Sequence, residues 1–542
     1  MILQEDGQPT IPQEDEQPVI PQEAENGNVA PGDAVEPGAM EIEKNEENQE
    51  DWGGEVLIKD EDLNGGGGGG EEGENGPNAI PDDDDDDDYV NDSAIFERAP
   101  ENSACYVRDK KYLKMPWDLD TWKTTIARFT KSLKRPPRTA EDLNALTRTS
   151  FFTAAQEEYS EEVSAFLGVY PEVCALMLSA KETFDSKRVP LLQTRTCGTT
   201  QLTRKQAACL VALSFFGDYA VGGETYNIFS VRHVLAIPGG DHVLSIGVCY
   251  MNYLTNIGNW LKSAPECDDI LNEKVTYMRH SIEPFRIDAQ RVPLCSIKIV
   301  EQGSLSNSKA NYHVDFANKF IGGGALQGGC VQEELMFAMQ PELACAMAFM
   351  EVMDPSDAIR IDNTLCHSYG RGYAATFKFD KNALPAPKLA RRGGRVPRVI
   401  AMDAIIQGYD DQFGREVINR DIHKAFVCFQ LGANPERLGV EKDVEATVAT
   451  GNWGCGAFGG NHELKFMEQW IAASMAGITE LEYYTYQSQE MNNVVQKYAE
   501  IKEKYINTKK LYSGIVKCKT PGTVVSVLTR TFIDSILSIL KK

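Results

Sequence analysis

Two adjacent carboxylates, Glu333 and Glu334, stand directly behind a run of bare backbone: residues 320–337 read FIGGGALQGGCVQEELMF. Neighbouring side chains on a helix diverge by about 100°. The pair therefore cannot flank one bond from opposite sides, and the spacing predicts a division of labour. One carboxylate moves protons and its neighbour holds the substrate. Gly322, Gly323 and Gly324 let backbone N–H groups come close to a ligand, and the start of the following helix adds its positive dipole. A second glycine-rich stretch, VATGNWGCGAFGGNHELKF (448–466), repeats the arrangement. Two such loops are suited to clasp a diphosphate between them.

Loops of this kind need strands and helices to aim them. From about 105 to 270 the apolar spacing is helical. Helices are expected at 118–133 with Asp118 or Asp120 as N-cap, at 154–168 ending on glycine, at 171–184 with Pro171 in the first turn, and at 203–217 behind a Thr203 cap. After about 290 the rhythm alternates. Strands are expected at 293–301, 312–318, 357–363, 374–379, 398–406, 445–451 and 480–486, and helices at 332–350 (broken near Pro341), 415–432, 463–477, 487–506 and 523–540. Alternation of this sort predicts an α/β domain with a mixed or parallel sheet, in which ligands bind at the carboxyl ends of strands.

The motifs together carry a resemblance. GGG, then seven residues (Ala325 to Val331), then QEE resembles the signature of poly(ADP-ribose) glycohydrolases. VDFAN (314–318), GYA (372–374) and ATGNWGCGAFGG (449–460) resemble further segments of that family's catalytic domain, over roughly residues 290–490. The helical region before it resembles the family's accessory subdomain. The resemblance implies a macrodomain-like fold, three layers α/β/α around a mixed sheet. It is expected to follow an α-helical accessory domain and a disordered acidic tail, with boundaries at 1–95, 96–275 and 276–542.

The implied reaction is hydrolysis of the ribose–ribose O-glycosidic bond of poly(ADP-ribose), releasing ADP-ribose, with no cofactor and no metal. Such hydrolysis needs a proton donor for the leaving oxygen and stabilisation of an oxocarbenium-like transition state. By resemblance, Glu334 protonates the leaving ribose and then activates water, Glu333 binds ribose hydroxyls, and Asp315 and Asn318 support the catalytic glutamate and the terminal ribose. Gly322, Gly323, Gly324 and Gln332 belong to the same substrate-binding motif. Gly456, Phe458 and Gly459 line the ribose and phosphate loop, and Tyr373 reaches the nucleotide. Tyr486 stands where the family has a phenylalanine that stacks on adenine, and tyrosine keeps a stacking face. The family also reads adenine with an isoleucine–glutamate pair. The matching place here is Leu305–Ser306, a departure. Two other readings are a macrodomain that binds ADP-ribose without cleaving it, and a hydrolase of another ADP-ribosyl linkage. A pure reader needs no carboxylate pair at the scissile bond.

Charge is distributed unevenly. The formal net charge is -26, yet residues 1–92 hold 30 Asp or Glu against Lys44 and Lys59 alone, a balance of -28. The rest carries about +2. The acidic segment repeats QPTIPQE as QPVIPQE and contains Gly65 to Gly70 and Asp82 to Asp88. It buries too little apolar surface to order itself and is expected to be disordered, with basic proteins as its possible contacts. No run of 18 apolar residues exists, so no membrane span is expected, and MILQEDGQ lacks the features of a secretory signal. Thirteen cysteines without a C-x-x-C pair predict reduced, mostly buried thiols. The basic stretches KSLKRPPR (131–138) and KLARRGGRVPR (388–398) are candidates for nuclear import or polymer contact. The expected setting is a monomer in the nucleus, also in the cytoplasm, acting on poly(ADP-ribose) and ADP-ribosylated proteins in the DNA damage response.

Overall fold

The computed structural model describes residues 111–384, 398–405, 411–433, 446–518 and 532–539. The acidic segment, nearly all of KLARRGGRVPR and residues 523–531 of the last expected helix lie outside the described residues. Among the described residues no helix is long and apolar enough to cross a membrane.

The chain opens with helices α1 (Trp122–Lys134), α2 (Ala140–Thr147), α3 (Phe151–Glu158), α4 (Ser160–Leu178) and α5 (Ala180–Thr183). Strand β1 (Gly198–Thr203), α6 (Arg204–Phe215), the hairpin β2 (Val221–Gly223) and β3 (Tyr226–Phe229), α7 (Val231–Ala236), α8 (Asp241–Lys262) and α9 (Asp268–Asn272) follow. Thr203 caps α6 as expected, its hydroxyl accepting the Gln206 N–H.

Elsewhere the helical reading is corrected. Pro171 does not start a helix and Gly168 does not end one, because α4 runs through both. Proline removes one helical hydrogen bond, and the nearby Gly168 carbonyl accepts from Lys262 Nζ at 3.1 Å. Packing against α8 holds the helix together there: a Cβ on Gly258 would lie 2.6 Å from Val169 Cβ. The N-cap of α1 is Thr121, not Asp118 or Asp120.

The remaining strands are β4 (Lys274–Ser281), β5 (Ser296–Val300), β6 (Tyr312–Ala317), β7 (Asp357–Asp362), β8 (Ser368–Arg371), β9 (Lys378–Asn382), β10 (Arg398–Asp403), β11 (Thr447–Gly451) and β12 (Glu480–Tyr484). The helices among and after them are α10 (Gln332–Met339), α11 (Ala346–Phe349), α12 (Arg415–Ala433), α13 (His462–Ala476), α14 (Asn492–Lys504), α15 (Thr508–Lys517) and α16 (Phe532–Ile539). The strand expected at 374–379 begins late. Residues 374–376 form a 3-10 turn, because the Thr376 hydroxyl bonds both backbone groups of Tyr373 and Ala374 takes a φ of 51°.

Eight strands form one mixed sheet in the order β1-β4-β7-β10-β6-β11-β12-β5. It is antiparallel from β1 to β10 and parallel from β10 to β5. Strand alternation explains the layers. On β10, Val399 and Ala401 join an apolar core with α1–α8 and α10, while Ile400 and Met402 join a second core with α12–α16. This is the expected three-layer α/β/α arrangement. The helical region supplies β1 to the sheet, and residue 275 falls inside β4. Buried Arg204 of α6 binds Glu342, just past α10, at 2.6 Å, so a buried ion pair ties the helical region to the segment that follows the site-bearing helix, and both lie in one core.

Candidate active site

Strand β6 leads into the loop that carries the three glycines, and α10 follows. Past His313, β6 no longer pairs with β11, whose register ends at Val448 and Ala449. Gln332 takes over that edge. Its Oε1 accepts the Phe316 N–H at 2.9 Å and its Nε2 donates to Val314 O at 3.1 Å. A primary amide presents an acceptor and a donor side by side, so it can continue a strand ladder. Gln332 thereby pins α10 to β6.

The glycines answer to the glutamates. Glu333 accepts from Gly322 N–H at 2.6 Å and from Asn318 N–H at 2.9 Å. Glu334 accepts from Gly324 N–H at 2.9 Å and, reaching back over the helix start, from Val331 N–H at 3.1 Å. The Gly323 N–H donates to Phe320 O. No N–H of Gly322–Gly324 is left for a phosphate, which corrects that expectation. Small size matters as much as the amides. Gly323 has a φ of 46°, and a Cβ there would lie 2.6 Å from an oxygen of each glutamate. A Cβ on Gly329 would lie 2.7 Å from Glu334 Cγ. Asn318 closes the strand end with its own turn, its Oδ1 accepting the Phe320 N–H.

Behind the pair, on the same face of β6 as the α10 core, lies Asp315, fully buried, with no hydrogen-bond partner for either oxygen among the described residues. Burial, then the Glu334 charge, push its carboxyl well above the usual range. Burial, then Asp315, then Glu334 push Glu333 up as well, against the pull of the Asn318 and Gly322 amides. Asp315 and Glu333, both buried and facing carboxylate charge, therefore retain protons at a pH where free carboxylates have released them.

Two tyrosines overlook this cluster. Tyr373 is 56% exposed. Its phenol end receives the Gln332 N–H, and burial followed by Glu334 pushes its pKa up. Tyr486, two residues past β12, has a φ of 52° and is 45% exposed. Its ring rests on Gly451, where a Cβ would meet Tyr486 Cε2 at 3.2 Å and Phe316 Cζ at 3.4 Å. Burial pushes its phenol up to about 12, and the Leu305 N–H opposes that shift by bonding the hydroxyl. The Tyr486 hydroxyl thus engages the backbone at Leu305.

The second loop, between β11 and α13, is built differently from the first. The N–H groups of Gly456, Ala457 and Phe458 take no part in any hydrogen bond among the described residues, and Gly456, Ala457 and Gly459 are exposed. Here the backbone donors suited to a diphosphate are available. Phe458 packs partly on the second core. Beneath the loop, Lys465 of α13 is buried and meets Asp421 and Glu468, with its ammonium 5.1 Å from the Trp453 ring centroid.

One positioning residue has no signature in the sequence. Asn227, on β3 of the helical region, donates to Phe320 O, Ile321 O and Gly323 O at 3.3, 3.0 and 2.8 Å. A buried asparagine in a short hairpin looks like any turn residue until the fold lays the glycine loop over it. Among the described residues no cluster of His, Cys, Asp or Glu is placed to hold a metal.

Comparison with known proteins covers both halves of this architecture. Residues 285–493 match the family model described as poly(ADP-ribose) glycohydrolase, macro domain fold, and residues 158–279 match the model of its helical domain. Poly(ADP-ribose) glycohydrolase 1 of Arabidopsis thaliana is 32% identical over 377 residues, which is 56% of this chain and 67% of that protein. Probable poly(ADP-ribose) glycohydrolase 2 of the same plant is 27% identical over 394 residues, 62% of this chain and 75% of that protein. Poly(ADP-ribose) glycohydrolase 2 of Caenorhabditis elegans is 32% identical over 195 residues, 34% of this chain and 39% of that protein. A mixed sheet carrying a carboxylate pair on a glycine loop, a helical region bonded to that loop, and matches spanning both parts lead to one assignment: the chain belongs to the poly(ADP-ribose) glycohydrolase family.

Proposed function

We propose that this member of the family cleaves ribose–ribose O-glycosidic bonds of poly(ADP-ribose), and that Glu334 is its general acid and base. The observation that carries the assignment of Glu334 is its setting. It is 7% exposed, its two oxygens are oriented by the Gly324 and Val331 amides, and it stands beside a phenol and two further carboxyls. In the first step Glu334 gives its proton to the leaving ribose oxygen as the glycosidic bond breaks. In the second it takes a proton from the water that attacks the oxocarbenium-like carbon, which restores the acid. Glu333 keeps lone pairs beyond those used by Asn318 and Gly322 and accepts from ribose hydroxyls. Asp315 does not touch substrate. Its buried carboxyl acts on the glutamates through space. The second loop holds the diphosphate through Gly456–Phe458, and Tyr486 stacks on adenine.

The chemistry is tested by incubating the purified full chain with labelled poly(ADP-ribose). Free ADP-ribose is expected, whereas binding without release would make the chain a reader. Nuclear location is part of the same proposal, and Lys131, Lys134, Arg135 and Arg138 of KSLKRPPR are exposed at and beyond the end of α1. A fluorescent fusion with these four changed to alanine is expected to lose nuclear enrichment, and unchanged distribution would reject the signal.

A further inference from the structure

A second concavity lies on the helical region, built from residues that the reaction at Glu334 does not use. It encloses about 510 Å³ between α1, the end of α2 and the turn after α6. Four cations line it, Lys114, Arg128, Arg148 and Arg232, against two carboxylates, Asp120 and Asp218; four minus two leaves +2.

The backbone is arranged to bring these cations together. Arg148 ends α2 in the left-handed region, φ 57° and ψ 44°, which an ordinary side chain rarely adopts. Gly217 has a φ of 76°, and a Cβ there would lie 2.2 Å from Arg232 Cδ, so only glycine lets Arg232 lie along this wall. Arg232 Nε donates to Thr147 O at 2.6 Å, at the same end of α2. Arg128 pairs with Asp218, and its Nε has no partner among the described residues. The guanidiniums repel one another. Burial, then Arg148 and Arg128, push Arg232 below its usual range, while Asp218 alone pulls the other way.

We infer that this pocket binds a diphosphate group, and that its occupant is an ADP-ribose unit of the polymer away from the bond being cut. A diphosphate carries the negative charge that the lining lacks, and planar guanidinium forks pair with phosphate oxygens two at a time. The volume is that of a small-ligand site. Identifying the occupant as polymer rests on the function proposed above; binding of a bare diphosphate does not.

The test titrates the full chain calorimetrically with inorganic pyrophosphate at low ionic strength and without ADP-ribose, which would occupy this pocket as well as the active site; substitutions in the lining report on the pocket alone. Saturable binding is expected, weakened at least fivefold by Arg148→Met and by Arg232→Met and tightened by Asp218→Asn, a gain that damage to the fold cannot produce. Equal affinity in the wild type and Arg148→Met overturns the pocket as the binding site. In kinetics, Arg148→Met is expected to raise KM at least fivefold on long polymer and to leave turnover of a two-unit substrate unchanged. Unchanged KM on long polymer overturns the polymer as occupant. Absence of any polymer cleavage by the wild type overturns the proposed function and the polymer assignment with it, while the pyrophosphate result stands by itself.

Discussion

The Cβ that Gly323 lacks would lie 2.6 Å from Glu334 Oε1, and equally close to Glu333 Oε2. Both carboxylates are tied to amides of the flanking glycines, so neither swings aside without breaking one of those bonds. Gly323→Ala is therefore expected to lower kcat on the order of 10²-fold by displacing the reacting groups. The left-handed φ adds a stability cost of about 1–3 kcal/mol. Steady-state kinetics beside urea unfolding separates the two effects. Wild-type kcat in Gly323→Ala would show that the close approach is unimportant.

Asn227 holds three loop carbonyls from across the helical region. Asn227→Ala leaves them without those donors and frees the loop that carries the glutamates' amides. kcat is expected to fall at least tenfold while affinity for ADP-ribose changes less, because the second loop and Tyr486 do not depend on Asn227. Affinity falling in proportion to kcat would place Asn227 in binding instead.

Tyr486→Ala is expected to weaken ADP-ribose binding by about 1–3 kcal/mol, the usual worth of a base stacked on an aromatic ring. Tyr486→Phe keeps the face and releases the Leu305 N–H, so its affinity is expected to stay within about threefold of wild type. Titration of ADP-ribose decides. Equal loss in both variants would transfer the role from the ring to the hydroxyl.

Much of this was legible in the sequence. The continuous apolar run Val399–Met402 marks a strand buried on both faces, and the GGG-to-QEE spacing marks the site. What was not legible is which donor meets which acceptor. A glycine run looks like a phosphate cradle whether its amides face a ligand or a carboxylate, and only the fold shows that Gly322–Gly324 serve Glu333 and Glu334 while the second loop keeps its donors free. Gln332 reads as one member of a polar triplet, yet its bonds depend on where β11 stops pairing with β6. Asn227 and Lys465 act across distances in sequence that no local pattern spans.

Asp315 makes stability depend on pH. Its carboxyl is raised in the folded chain, so the folded state keeps a proton that the unfolded state releases above about pH 4. Stability from this group is complete below that pH and is lost as pH rises through the folded value. Asp315→Asn removes the titration. Its Tm is expected to exceed that of wild type at pH 8, with the difference shrinking toward pH 4. A difference that stays constant across that range would mean that Asp315 is not the buried, protonated group described here.

Lys465 balances Asp421 and Glu468 in a dry interior. Lys465→Met leaves Glu468 without its cation and Asp421 with Arg420 alone, and is expected to cost about 3–5 kcal/mol in urea unfolding at neutral pH. A loss below about 1 kcal/mol would show that the network reorganises around the substitution.

The most direct measurement is single-turnover cleavage of poly(ADP-ribose) by Glu334→Gln beside titration of the same variant with ADP-ribose. The amide keeps the shape of the side chain and cannot give up a proton to the leaving ribose. Cleavage is predicted to slow by 10²-fold or more, on the order expected for loss of general acid–base catalysis, with ADP-ribose still bound within a few-fold of wild type. Cleavage at near the wild-type rate would contradict the assignment of Glu334 and leave the proton transfer to another group.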